Sequence, residues 1–420
     1  MGGTENRKFD LIVFGATSFV GQILTTYLAN YLIEQASSNE QIQWAIAGRS
    51  QSKLDALKQT LGDKFQDLAT IVADVNDANT IKALCEQTQV VVSTVGPYAL
   101  YGEPMIKACV ETGTDYCDLT GETQWIKKMI DQYQSQAEQT GARIVHCCGF
   151  DSVPSDMGVY FLQQQAQQLW NAPATQVKMR VKVLKGGASG GTVASLINIL
   201  QEAAADPVLR KQLINPYLLA PQNHQLKVKQ HYVKSAEFDQ DFNAWIAPFV
   251  MSAINERVVH RSNALANYAY GENFTYNEAM LTGQGWRGRV KAYTLVAGLS
   301  AFMLGAVSKP ISQVMERYML PKPGEGPTPE QQHSGFFDIR FIGQSKTGQV
   351  LQVKVTGDRD PGYGSTGKML GQAALSLVLD HHQQGLQTGC VGGFWTPATM
   401  FDQRFIKRLQ QYAGIRFEVI

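Results

Sequence analysis

Between residues 9 and 150, short β-rich runs alternate with amphipathic stretches, and this alternation limits the fold more than any other feature of the sequence. Runs such as LIVF and VVVST are almost continuously apolar, as expected of strands buried on both faces of a sheet. Such alternation is typical of a parallel sheet with crossover helices. We predict an α/β, doubly wound Rossmann-type domain at 1–150, with strands at 10–14, 43–47, 70–73, 90–94, 116–119 and 143–148.

The pattern changes after residue 150. A chain of 420 residues is too long for a single core. We expect a second, α+β domain at 151–420 for substrate binding and dimerisation, with C-terminal helices that pack back on the first domain. It is predicted to begin with a half-exposed strand at 177–186 and to end with strands at 336–343 and 349–357. Between them we expect a helical insertion at about 193–330. The insertion is mostly helical at 193–319 and ends in a proline-rich loop at 321–329.

Charge and cysteine content narrow the classes of partner and compartment. With 37 basic and 36 acidic residues the net charge is +1, which provides no general field for holding nucleic acid. The six cysteines lack C-x-x-C spacing, and four fall in segments predicted to be buried. We expect reduced thiols, no metal site and a cytoplasmic protein.

The sequence FGATSFVG, residues 14–21, follows the first predicted strand and opens a helix. Gly15 and Gly21 bracket the turn, and Ser18 stands where a G-x-x-G-x-x-G motif has its middle glycine. Taken alone, the motif fits a plain strand-to-helix turn equally well. We predict a pyrophosphate site in which the Ser18 N–H and hydroxyl contact a phosphate oxygen, formed by Gly15, Thr17, Ser18, Phe19, Val20 and Gly21.

The second predicted strand ends in AGRS, so that Arg49 stands where an acid would accept from the ribose of NAD. An arginine there, with Lys53 one helical turn later, suits the 2′-phosphate of NADP. Arg49 lies 34 positions beyond Gly15, against the usual spacing of about 20; a long first helix explains the difference. The alternative is an exposed surface arginine. Asp74, after the third strand, is predicted to accept from the adenine amino group.

Polar side chains gather at the ends of the later strands. TVGPY follows the fourth strand, and we predict that Val95, Gly96, Pro97 and Tyr98 run beside the nicotinamide ribose. Tyr98, or a water held by Asp151, is the predicted catalytic acid. Tyr101, Asp118 and Glu122 are predicted to contact substrate. Asp156 is expected near the same edge of the sheet, which we call the rim. The alternative for each acid is a helix cap or turn, as for Asp151 and Ser155 before a helix.

GYGSTGKM, residues 362–369, matches part of a P-loop, but Met369 replaces the hydroxyl residue that binds magnesium. We therefore reject nucleoside triphosphate hydrolysis. A local anion site remains an open alternative, with Arg359 or Lys368 assisting at a carboxylate or a phosphopantetheine phosphate.

The uncharged run 292–308 follows three basic residues at 287, 289 and 291. It is short for a membrane span, which needs about 20 residues. A core helix is the favoured interpretation, and peripheral contact with a membrane or an acyl chain is the alternative.

In order along the chain, GATSFVG, WAIAGRS, STVGPYALYGEP, GTDYCDLTGE, HCCGFDSVPSD and GDRDPGYGSTGKML resemble the saccharopine dehydrogenase-like oxidoreductases, most closely their trans-acting enoyl reductase branch. The resemblance covers nearly the whole chain. It implies NADP(H) as cofactor, and reduction of an enoyl, lipid-type thioester carried on a synthase or carrier protein. We also expect a homodimer. The alternatives are saccharopine-type oxidoreduction of an imine or amino acid, and a lipid-associated NADP(H)-binding protein without turnover.

Overall fold

The computed structural model describes residues 7–35, 42–186, 190–308, 310–313, 326–382 and 391–420. Residues 321–325 of the predicted proline-rich loop and Cys390 lie outside these ranges. The strands are β1 (Phe9–Phe14), β2 (Trp44–Gly48), β3 (Ala69–Val72), β4 (Thr88–Ser93), β5 (Asp115–Asp118), β6 (Arg143–Val145), β7 (Gln176–Lys185), β8 (Glu237–Asp239), β9 (Ala244–Ala247), β10 (Thr275–Gly283), β11 (Phe336–Gln344), β12 (Val350–Gly357), β13 (Gly393–Trp395) and β14 (Ile415–Val419).

The helices begin and end at residues that the chain uses as caps, such as Ser18 before α1, Asp77 before α3 and Gly141 after α6. They are α1 (Phe19–Glu34), α2 (Gln51–Leu61), α3 (Ala78–Cys85), α4 (Tyr98–Tyr101), α5 (Glu103–Thr112), α6 (Thr123–Thr140), α7 (Val153–Trp170), α8 (Gly190–Ala205), α9 (Pro207–Gln212), α10 (Ser252–Leu265), α11 (Gly285–Val307), α12 (Pro329–Ser334), α13 (Thr366–Ser376), α14 (Pro397–Met400) and α15 (Gln403–Tyr412).

The chain divides into two compact units, and the first comprises Met1–Phe150 and Tyr363–Ala413. Its described strands form a parallel sheet in the order β13-β6-β5-β4-β1-β2-β3. This order contains the 3-2-1-4-5-6 arrangement of a doubly wound dinucleotide-binding domain. The predicted fold class is therefore confirmed. The centre of the sheet, at Leu11, Ile12 and Val13, is fully buried, as the apolar runs required.

The segment Tyr363–Ala413, which contains the C-terminal helices expected to pack back on the first domain, belongs to the first unit, so the second unit does not run without interruption over 151–420. Helix α13 packs on α1 within this unit. Close contact depends on glycines: a Cβ on Gly367 would lie 2.9 Å from Ile23 Cγ2, and one on Gly371 would lie 2.8 Å from Tyr27 Cδ1. Strand β13 then pairs with β6 and extends the sheet. Strand β13 has only three residues and is distant in sequence from the rest of the sheet, so no sequence pattern predicted it.

The second unit comprises Asp151–Gly362 and Gly414–Ile420, and its described strands form a mixed sheet in the order β14-β12-β11-β7-β10-β9-β8. Helix α7 packs on β11 and β12. The stretch 193–319 was predicted to be mostly helical, yet it contributes β8, β9 and β10 to this sheet. Two of these strands have only three or four residues, and β10 carries the polar Asn277 and Glu278. Neither length nor alternation marked them as strands.

Candidate cofactor site

The turn between β1 and α1 requires glycine at both ends. Gly15 has φ +81°, a conformation that L side chains rarely adopt, and a Cβ there would lie 2.6 Å from Val95 Cγ2 and 2.9 Å from Thr94 Oγ1. A Cβ on Gly21 would lie 2.1 Å from the Gly15 carbonyl oxygen. The helix therefore starts directly against the end of the strand, which is the close packing that a dinucleotide-binding turn needs.

Ser18 stabilises the turn itself. Its hydroxyl accepts from the Gly21 N–H at 2.9 Å and caps α1. The N–H of Ser18 donates to the Gly15 carbonyl, also at 2.9 Å. The predicted donation of the Ser18 N–H to a phosphate oxygen is thus wrong, because the Gly15 carbonyl already accepts from it. Contact of the hydroxyl with a phosphate stays a prediction.

Two backbone amides at the start of α1 remain available for an anion. Among the described residues, no acceptor partners the N–H groups of Phe19 and Val20, the first two of the helix. Unpaired amides at a helix N-terminus carry the positive end of the helix dipole and bind phosphate readily. The turn FGATSFVG therefore fits a pyrophosphate, with these two amides as its donors.

Thr94, at the end of β4, was not predicted to belong to this site. Its hydroxyl donates to the Gly15 carbonyl at 2.9 Å and lies 2.9 Å from Ser18 Oγ. It thus joins the turn after β1 to the turn after β4. The adjacency of those two strands was foreseeable from the doubly wound order, but the bond itself depends on their exact register.

Two cations lie at the end of β2. Arg49 follows this strand directly, and Lys53 is in the first turn of α2. Both are exposed, and neither has a hydrogen-bond or ion-pair partner among the described residues. Unpaired cations at this strand end suit a phosphate on the adenosine ribose.

Asp74 is half-buried, and its Oδ1 accepts from the backbone and side-chain N–H groups of Asn76, both at 2.9 Å. This is an Asx turn, so the turn already uses one oxygen of the predicted adenine acceptor.

Tyr98 does not project toward a ligand as predicted. Its side chain is only 5% exposed, and its hydroxyl donates to the Ser93 carbonyl at 2.9 Å. Burial raises the pKa of Tyr98 well above its usual value, with the charge of Asp118 acting in the same direction. A group that is enclosed, bonded to the backbone and harder to ionise is a structural tyrosine. Tyr101, in contrast, is exposed.

The segment before Tyr98 lies beside the glycine turn. Val95 is the residue that a Cβ on Gly15 would meet, and Gly96 is exposed. The Gly96–Pro97 peptide bond is cis. These three residues stay candidates for contact with the cofactor.

Glu122 and Asp118, predicted to contact substrate, have structural partners. The two carboxylate oxygens of Glu122 accept from the Tyr98 and Ala99 N–H groups, each at 2.9 Å, and so cap α4. Asp118 Oδ2 lies 2.8 Å from His146 Nδ1, and its Oδ1 accepts from the Thr120 N–H at 3.1 Å. Both acids are buried. The alternative interpretation of these acids, as residues that hold a helix cap or a turn, therefore fits Glu122 and Asp118 better than contact with substrate.

The other two acids belong to the second unit. Asp156 is fully buried and its Oδ1 accepts from the Ser262 hydroxyl at 2.6 Å, so it is an internal residue. Asp151, the first residue of the unit, is half-buried, and burial raises its pKa to about 7. Of the acids predicted near the rim, Asp151 alone combines some exposure with a pKa near neutrality.

Gly367 of GYGSTGKM, like Gly371 just beyond the motif, packs one helix against another. Gly367 and Gly371 allow α13 to approach α1, and Tyr363 packs edge-to-face on Phe19 with ring centroids 4.7 Å apart. Lys368 is half-buried on α13. Arg359 lies in the other unit and donates to the Asp358 carbonyl at 3.0 Å. Helix packing accounts for Gly367, and the anion site stays a prediction.

Comparison with known proteins agrees with this geometry. Residues 11–145 match the family model described as the saccharopine dehydrogenase NADP-binding domain. A Mycobacterium tuberculosis protein provisionally named a trans-acting enoyl reductase is 37% identical over 98% of this chain and 97% of its own. A trans-acting enoyl reductase of Mycobacterium ulcerans is 33% identical over 97% of both chains.

Among solved structures, apo saccharopine dehydrogenase (L-Glu forming) of Saccharomyces cerevisiae matches 98% of this chain and 100% of its own, with a TM-score of 0.51 and 13% identity. At that identity the likeness concerns the fold alone. With the near full-length relatives and the NADP-binding family match, it confirms the resemblance and the cofactor predicted from the motifs. The chain belongs to the saccharopine dehydrogenase-like family, in its trans-acting enoyl reductase branch, and is an NADP-dependent oxidoreductase.

Proposed function

We propose that this protein reduces the carbon–carbon double bond of an α,β-unsaturated acyl thioester, with the acyl chain held on a synthase or a carrier protein. The observation that supports this substrate is the similarity to proteins named trans-acting enoyl reductases over 98% of the chain, which includes both units. A shared cofactor domain alone would support only oxidoreduction.

The residues of the first unit fit an NADP(H) molecule. The Phe19 and Val20 amides would hold the pyrophosphate, and Arg49 with Lys53 would hold the 2′-phosphate. When bound, the cofactor supplies a hydride to the substrate. Gly15 and Gly21 keep the backbone close enough for these contacts, since any side chain at either position would collide with the turn.

Hydride addition to the β-carbon must be completed by a proton at the α-carbon. We propose Asp151 as the group that holds this proton, directly or through a water. Its pKa of about 7 leaves a substantial fraction of the carboxyl protonated at neutral pH. Tyr98 has no part in the proposal, because its hydroxyl is buried against the Ser93 carbonyl.

The first test is a spectrophotometric assay of NADPH oxidation with enoyl-CoA and enoyl-carrier thioesters. We expect turnover with NADPH and at least tenfold weaker use of NADH. Arg49→Ala should raise the KM for NADPH about tenfold or more, since it removes a charge-assisted contact to the 2′-phosphate, and should leave the KM for NADH unchanged. Lys64→Ala, an exposed cation in the turn after α2, is the matched control and should change neither.

Two outcomes would contradict the proposal in different ways. Equal use of NADH and NADPH by the unaltered protein would remove Arg49 from cofactor selection. NADPH oxidation with an oxoacid and an amine, and none with any enoyl thioester, would assign the protein to imine reduction instead.

A further inference from the structure

Helix α11 exposes large apolar side chains along its whole length. It has 23 residues, and only 17% of its most apolar 18-residue stretch is buried. Trp286 near its start is 72% exposed and Leu304 near its end is 75% exposed, with Val290, Tyr293, Leu295, Met303 and Val307 exposed between or beyond them. A core helix, the interpretation favoured from the sequence, would bury these side chains. Large exposed apolar surfaces usually mark a binding surface.

The opposite face of α11 is fixed to the second unit at both ends. Near the start, Gly288 packs so closely on β10 that a Cβ would lie 2.1 Å from the Gly283 carbonyl oxygen, and its carbonyl accepts from the Thr282 hydroxyl at 2.9 Å. Near the end, the Ala306 carbonyl accepts from Gln201 Nε2 of α8 at 3.2 Å. The helix is long and apolar enough to cross a membrane, but these contacts hold it along the protein. It can present one face to a lipid surface and cannot act as a separate span.

Cations and aromatic rings gather at the first turns of this helix. We call Trp245, Trp286, Arg287, Arg289, Lys291 and Tyr293 the basic–aromatic collar. The Arg289 guanidinium lies 5.3 Å from the Trp245 ring centroid and 5.9 Å from that of Tyr293, and Arg287 lies 5.6 Å from that of Trp286. Arg287, Arg289 and Lys291 are exposed. Tryptophan, tyrosine and basic residues beside an apolar run are the composition of a membrane interface.

The charges also distinguish a lipid surface from a second copy of the chain. Helix α11 contains no aspartate or glutamate. Pairing it with its own copy would bring six cations to the two helices and no anion from either. Anionic lipid headgroups supply the missing charge, and each basic residue near such a surface strengthens binding.

We propose that the exposed face of α11 and the basic–aromatic collar bind the surface of an anionic lipid bilayer. The collar lies at the headgroup phosphates, and the apolar side chains from Leu295 to Val307 enter the outer acyl region. The protein is then a monotopic one, held at the membrane without crossing it. This surface is independent of turnover and of the proposed substrate, so each can fail without the other.

The experiment is flotation of the full chain with vesicles of equal parts phosphatidylcholine and phosphatidylglycerol, compared with vesicles of phosphatidylcholine alone. We expect flotation with the anionic vesicles, weakened by salt. Replacing Arg287, Arg289 and Lys291 together by alanine should weaken binding roughly 100-fold. Leu304→Glu should abolish flotation. Leu169→Glu, on α7 of the same unit and 62% exposed, is the matched control and should float as the unaltered protein does.

NADPH binding and circular dichroism check that each variant is folded. Flotation of Leu304→Glu equal to that of the control would overturn the proposal, as would no flotation of the unaltered chain. Light scattering after gel filtration provides a further test. If the unaltered chain is a dimer that Leu304→Glu dissociates, and it does not bind vesicles, the occupant of this face is a second copy and the proposal is wrong.

Discussion

At the scale of single residues, side chains that looked chemically active from the sequence mostly hold turns and caps. Ser18 caps α1, Glu122 caps α4, and Asp74 closes an Asx turn. These residue types are common at such places because their oxygens accept backbone N–H groups. A polar residue at a strand end therefore predicts that a hydrogen bond is made there, but only the structure identifies the partner.

Asp151 is the acid whose proton affinity suits catalysis. With a pKa raised to about 7, a general acid is active below that pH and is lost as pH rises through it. We expect kcat for enoyl reduction to fall as pH rises above about 7. Asp151→Asn should lower kcat by about 100-fold or more, remove this decline and leave NADPH affinity within twofold. The measurement is the pH profile of kcat beside a titration of NADPH binding; a profile that Asp151→Asn leaves unaltered would exclude the residue from proton transfer.

At the scale of elements, Gly367 and Gly371 show that packing can require the same residue type that a phosphate site requires. Glycines that permit close backbone approach serve a phosphate in one protein and a neighbouring helix in another. Here the neighbour is α1, whose Tyr27 hydroxyl accepts from Gln372 Nε2 at 2.7 Å and donates to the Tyr412 carbonyl at 3.1 Å. The ring of Tyr27 is thus held in place and cannot easily move away from a larger side chain.

Gly371→Ala tests this packing. A methyl group would lie 2.8 Å from Tyr27 Cδ1, so we expect a loss of about 1–3 kcal/mol in the free energy of unfolding. Gly298→Ala on α11 is the matched control, because a Cβ there meets nothing within 4 Å. It should stabilise by about 0.5–1 kcal/mol through helix propensity. Urea unfolding of the two variants gives the comparison, and equal shifts would show that Gly371 has no packing role.

At the scale of the whole molecule, the second unit contains two buried glutamates, Glu256 and Glu278. Glu278 accepts from the Tyr276 hydroxyl at 2.7 Å and from Asn255 Nδ2 at 2.9 Å, and its own N–H donates to Glu256 Oε1 at 3.1 Å. Burial raises the pKa of Glu278 to about 7, and burial with the charge of Glu278 raises that of Glu256 well above its usual value. Both carboxyls are therefore harder to ionise in the native state, and a substantial fraction of Glu278 is neutral at pH 7.

These raised pKa values predict a loss of stability as pH rises. In the unfolded chain both carboxyls ionise near pH 4.5, so above that pH the native state binds more protons and stability falls through the native pKa. Burial also raises the pKa of Asp151 to about 7, so this carboxyl acts in the same direction. His260 and His381, whose native pKa values are lowered to about 3 and about 4, oppose the trend up to about pH 7.5, because the unfolded chain still loses histidine protons there. Between pH 6.5 and 8 we expect the free energy of unfolding to fall by about 1 kcal/mol or more.

Glu278→Gln provides the control for this pH dependence. It keeps a side chain of similar shape and removes one titrating group, so the decline between pH 6.5 and 8 should become shallower. Urea unfolding at both pH values measures it. A slope that the substitution leaves unchanged would mean that Glu278 is already ionised in the native state.

Sequence alone determined the Rossmann-type sheet and NADP(H) as the cofactor, and it located the turn that we propose for the pyrophosphate. Those features follow from local patterns: apolar runs, a glycine pair at a strand end, and Arg49 at the next strand end. The strands at the start of the chain were accordingly found with small errors at their ends, as in β6, which stops at Val145.

Tertiary structure alone decided which polar groups are free and where the distant segments belong. The contact of Ser18 with Thr94, the contact of Tyr98 with Glu122, the return of Tyr363–Ala413 to the first unit and the strands within 193–319 all depend on residues that are distant in the sequence. The exposure of α11 could not be predicted from the sequence either, because an apolar helix has the same residue pattern whether or not neighbouring elements cover it. Local patterns specify elements, whereas burial and hydrogen-bond partners arise only when those elements pack.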